Sequence, residues 1–117
     1  MTSLALAATG FVALAHVFFM VLECVLWTQP AGLRAFGQTA QDAKTTRVLA
    51  FNQGMYNGGI AVLLSWAVLA QHRPAVIALL IYVLAMGLVG GITANRSILL
   101  YQGMPAALAL LLQVLAR

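Results

Sequence analysis

Four stretches of this chain are long, apolar and almost free of charge: residues 4–27, 48–69, 75–94 and 98–115. Crossing the hydrocarbon of a bilayer takes ~20 apolar residues in a helix. A helix also pairs its own backbone groups, which lipid cannot do. Of the 117 residues, 63% are hydrophobic and 7% charged, against ~25% charged in a soluble domain. A soluble protein of this length could not cover so much apolar surface. The expected class is therefore all-α, an integral membrane four-helix bundle forming a single transmembrane domain over 1–117. Short breaks at 71–74 and 95–96 make successive helices antiparallel, up-down-up-down.

The formal net charge of +4 would suggest nucleic acid in a soluble protein. Here the six Lys and Arg sit in the breaks and at helix ends, where they set orientation instead, so no nucleic-acid partner is expected. Arg34, Lys44, Arg47 and Arg96 fall on one side, Arg73 and Arg117 on the other. That bias puts the first and third loops in the cytoplasm and both termini outside, in a bacterial inner (plasma) membrane. A dual-topology homodimer is the alternative. Cys24 is the single cysteine, so no intramolecular disulfide forms. The N-terminal run has no basic segment before it and carries Glu23, which marks a retained helix and not a signal peptide. Within 28–47, two turn signals and the apolar pair Leu33 and Phe36 fit a lid or short helix along the membrane interface, or a solvated loop.

A carboxylate inside a membrane-length apolar run is costly and usually functional. Glu23 is such a residue, and Thr9, His16, Met20 and Trp27 share its helical stripe. In the second stretch Gln53, Tyr56 and Asn57 share one stripe with Asn52 at its flank. An amide facing lipid leaves donors and acceptors unpaired, so these side chains are expected to point inward. Thr93 closes the third stretch; Gln102 opens the fourth. With Arg96 at the rim, these groups concentrate in one half of the bundle as a polar cup, with His16 as its floor and the other half nearly pure Leu, Val, Ile and Ala. Gly54 with Gly58, and Gly87 with Gly91, form small-xxx-small pairs that favour close internal helix packing over a dimer seam. Arg47 with Gln53-Gly54-Met55 and Arg96 with Gln102-Gly103-Met104 repeat at one interval, either as two related helix hairpins or by coincidence.

The His16 and Glu23 pair, Trp27-x-x-Pro30-x-Gly32-x-x-x-Phe36-Gly37, Asn52-Gln53-Gly54-x-Tyr56-Asn57-Gly58 and Gln102-Gly103-x-Pro105-Ala106 together resemble the family catalogued as domain of unknown function 1304. These are small four-helix membrane proteins of bacteria and fungi. The resemblance covers essentially the whole chain, implies the architecture above and implies no activity. A looser likeness to the small multidrug resistance transporters rests on four helices and a carboxylate in the first, which is analogy.

Three functions fit these residues. In the first, Glu23 and His16 exchange protons while Trp27, Asn52, Gln53, Tyr56, Asn57, Thr93, Arg96 and Gln102 bind a small or amphiphilic molecule for transport. In the second, the same cup is a cofactor-free isomerase or cyclase, with Glu23 as acid or base and His16 as its partner on a lipid-like substrate. The third is a structural or assembly role, in which Glu23 pairs with His16, Arg47 or Arg96 and the amides hold helices together. A methionine stripe with His16 is more often core than a copper site. No metal or cofactor is expected; the partners expected are membrane lipid, the small or amphiphilic molecule and a second copy of the chain.

Overall fold

A computed structural model describes residues 1–116; Arg117, invoked above for orientation, lies outside the described residues. The fold is all-α, with no strand among the described residues. Five helices follow one another: α1 Ser3–Cys24, α2 Pro30–Phe36, α3 Ala40–Leu69, α4 Arg73–Thr93 and α5 Met104–Leu115, the last entered through a π turn at Leu99–Gly103. By length and composition, α1 and α4 are long and apolar enough to cross a membrane, and Leu99–Leu115 is a shorter apolar segment.

Local chemistry sets these boundaries. The Thr2 hydroxyl accepts from the Ala5 amide and caps the start of α1. The chain leaves helical geometry at Cys24, three residues before the end expected at Trp27, and both Val25 and Leu26 donate back to the Val21 carbonyl. Pro30 starts α2, where its missing N–H is harmless. Gly37 ends α2 in the left-handed conformation at φ 59°, which glycine adopts without strain. Within α2, a Cβ on Gly32 would collide with the Leu26 carbonyl, so only glycine lets α2 fold back on the preceding turn. The Thr39 hydroxyl oxygen accepts from the Asp42 amide at 3.1 Å and its proton goes to the Asp42 carboxylate at 2.7 Å. That cap starts α3 at Ala40, eight residues before the apolar stretch itself. The 28–47 segment is therefore mostly helix. His72 Nδ1 accepts from the Ala75 amide and caps α4, with Pro74 in its first turn.

The chain divides into two compact units. Unit 1 holds residues 1–15 and 62–117, and unit 2 holds residues 16–61. In unit 1, α4 packs on α5 and on the π turn, burying Val76, Leu80, Val83, Gly87 and Gly91 at steps of three or four residues. That spacing keeps one stripe inward. A Cβ on Gly87 would lie 2.9 Å from the Gly103 backbone, so the two segments meet backbone to backbone. The π turn accommodates Pro105. Met104 donates to the Leu99 carbonyl five residues back, and the wider turn relieves the clash that an interior proline causes. In unit 2, Gly54 faces Glu23 and Cys24, and Gly58 faces the Met20 sulfur, each at a distance a Cβ would violate. These glycines serve packing within the chain. The two repeated triplets behave alike in part, with Gly54 and Gly103 buried and Met55 and Met104 exposed.

Candidate functional site

Glu23 lies in the last turn of α1, half-buried, with its β-carbon 3.0 Å from where a Cβ on Gly54 would stand. The absence of a side chain at Gly54 lets α3 approach closely enough for Asn57, one turn further on, to reach the carboxylate. Asn57 Nδ2 donates to Glu23 Oε2 at 2.5 Å. Beside it, the Cys24 thiol donates to the Phe51 carbonyl at 3.5 Å. A carboxylate that holds a carboxamide in this way presents an acceptor and an amide dipole side by side. Such a pair can receive a donor, a cation or a proton.

The other expected site residues are distributed differently. His16 is buried, as its stripe requires, with its ring edge-on to Phe19 at 5.5 Å. It lies ~10 Å along α1 from Glu23 at 1.5 Å per residue, too far for direct proton transfer. Trp27 is not on the helix. Its indole donates to the Thr46 hydroxyl at 3.1 Å, its carbonyl accepts from Gln38 Nε2 at 3.4 Å, and its ring meets Phe36 at 4.7 Å. Those contacts fix the corner between α1 and α2. Asn52, Gln53 and Tyr56, expected to point inward with Asn57, are instead exposed, and Asn52 donates to the Val48 carbonyl of its own helix. The physical reason is angular. Gly54, Asn57 and Gly58 occupy the side of α3 that meets α1; Asn52 and Tyr56 fall on the opposite side, and Gln53 stands about a quarter-turn from the contact.

In unit 1, Thr93 is exposed and its hydroxyl donates to the Val89 carbonyl, Arg96 is exposed, and Gln102 Nε2 donates to the Val83 carbonyl at 3.3 Å. Gln102 thereby ties the π turn to α4. An open apolar groove lies on the same unit, lined by Ala8, Phe11, Leu100, Met104, Pro105 and Leu108. None of those side chains is polar, so it offers nothing to orient a ligand.

Sequence reasoning missed one buried polar cluster, also in unit 1. Gln113 is fully buried and donates to the Thr9 hydroxyl at 2.9 Å, while Arg73 donates to the Gln113 carbonyl through Nε and Nη2 at 3.2 and 2.6 Å. The half read as nearly pure hydrocarbon therefore has polar contents. Its signal was available: Gln113 stands at helical spacing from Ala106 and Ala109, which are buried. Among the described residues, no group of three or more His, Cys, Asp or Glu is arranged to hold a metal ion.

A family described as "Protein of unknown function (DUF1304)" matches residues 10–114. The chain is 34% identical over 115 residues to a protein of Lactococcus lactis subsp. lactis (strain IL1403) named "Uncharacterized protein YpaA", covering 95% of this chain and 97% of that one. No solved structure matches it. With a match spanning nearly all of its length, from within α1 to the last turn of α5, the chain belongs to the DUF1304 family of proteins of unknown function.

Proposed function

We propose that the chain is an integral membrane protein whose Glu23–Asn57 pair binds the polar head of a small or amphiphilic molecule, with proton exchange at Glu23 coupled to its transport. The observation that carries this reading is the Asn57 amide held on the Glu23 carboxylate, on a helix apolar enough to span a bilayer. An acid retained in such a helix is costly unless its charge is used or paired. A bound cation would displace the carboxyl proton, and the carboxamide would stay to orient the carboxylate.

Arg34, Lys44, Arg47 and Arg96 are exposed. In this reading they mark the cytoplasmic side of a bacterial inner membrane, and the termini face outward. Asn52, Gln53 and Tyr56 then need partners other than hydrocarbon, which a second copy of the chain would supply.

The test uses tetraphenylphosphonium as probe. Proton release into weakly buffered detergent solution on its addition, and its uptake by proteoliposomes under a proton gradient, are both expected, and both are lost in Glu23→Gln. Absence of both signals in the parent chain would overturn the reading.

A further inference from the structure

We propose that Gln113 and Thr9 form an internal hydration site that holds one water molecule inside unit 1. Both side chains are fully buried. The Thr9 hydroxyl donates to the Ala5 carbonyl at 2.8 Å, so the Thr9 oxygen is left to accept. That fixes which way the Gln113 amide is turned, because a carbonyl oxygen in the place of Nε2 would face two acceptors. Nε2 therefore donates to Thr9 at 2.9 Å and to the Ala5 carbonyl at 3.4 Å. Oε1 points the other way and accepts no hydrogen bond, the one buried side-chain polar atom among the described residues in that condition.

Buried acceptors in folded proteins are almost always paired, with protein or with ordered water. The occupant must supply an O–H or N–H and must be small. Arg73, whose guanidinium sits on the Gln113 main-chain carbonyl, already places a positive charge at this end of α5 and disfavours an ammonium or metal cation nearby. Water is the smallest neutral donor, and polar points within otherwise apolar interiors are where buried waters are held. The inference is independent of the role assigned to Glu23.

Rotating-frame Overhauser spectroscopy tests it on the full chain in detergent micelles labelled with 15N-glutamine, the Gln113 signals being those absent from Gln113→Met. A water cross-peak to the Gln113 side-chain amide protons is expected at short mixing times. It should persist in Thr9→Val, where no hydroxyl proton can relay exchange. A visible Gln113 amide without the cross-peak, or with one that vanishes in Thr9→Val, overturns the proposal. Should Thr9→Val not fold, Thr9→Ala, which also lacks the hydroxyl proton, takes its place and is read in the same way.

Discussion

Glu23 and Asn57 stand 34 positions apart and meet through a single hydrogen bond. Asn57→Ala removes the donor and leaves the carboxylate in place, so it should lower stability in detergent by about 1.5–3 kcal/mol, the usual net worth of a hydrogen bond to a charged group. Glu23→Gln keeps the shape and a carbonyl acceptor and should lower it by less. Paired thermal melts of the two variants check the order. The acid was legible from the sequence because one carboxylate in a membrane-length apolar run has few bland explanations. Its partner was legible less sharply. Asn52, Gln53, Tyr56 and Asn57 are all polar and lie within two turns, and residue type alone does not say which flank of α3 meets α1. The glycines decide that, since Gly54 and Gly58 mark the side of close approach. Gln113 went unread for the opposite reason, as one amide among leucines and alanines drew no attention without a partner close in sequence.

Among the elements, breaks carried by proline and glycine could be read directly: Pro30 opens α2, Gly37 closes it and Pro74 lies in the first turn of α4. The start of α3 could not be read from periodicity, because residues 40–47 are mostly polar and present no apolar stripe. The capping pair Thr39 and Asp42 was the available signal, a hydroxyl followed three residues later by an acid. Close packing between elements yields a paired expectation. In Gly87→Ala the new methyl would meet the Gly103 backbone, which cannot swing aside as a side chain would, and the loss should be about 1–3 kcal/mol. Gly59→Ala meets nothing within 4 Å and should gain up to ~1 kcal/mol from helix propensity alone. Thermal melts of the two, side by side, separate packing from backbone entropy.

At the scale of the whole molecule, α3 has 30 residues and is ~45 Å long, against ~30 Å of hydrocarbon. In the proposed membrane setting, its capped polar start stands outside the bilayer with Lys44 and Arg47. In a Cys24→Ala background, Gln41→Cys should then react with a membrane-impermeant maleimide from the cytoplasmic side, and Gln71→Cys from the outside. Reaction of each from both sides would indicate dual topology. The all-α class followed from composition because so apolar a chain has few ways to pair its backbone; the π turn did not, since Pro105 allows either a kink or a widened turn. That wider turn has a consequence for angular phase. One residue more than a regular helix would use is taken up at Leu99–Gly103, and each residue of a helix advances ~100° about its axis. Tightening the turn to an ordinary one with every residue kept would swing Gln113 by that angle, away from Thr9 and Ala5, whereas excising Leu100 at the same time would leave Gln113 facing them. The widened turn thus acts as a phasing shim, deciding which side of the last helix is wet within.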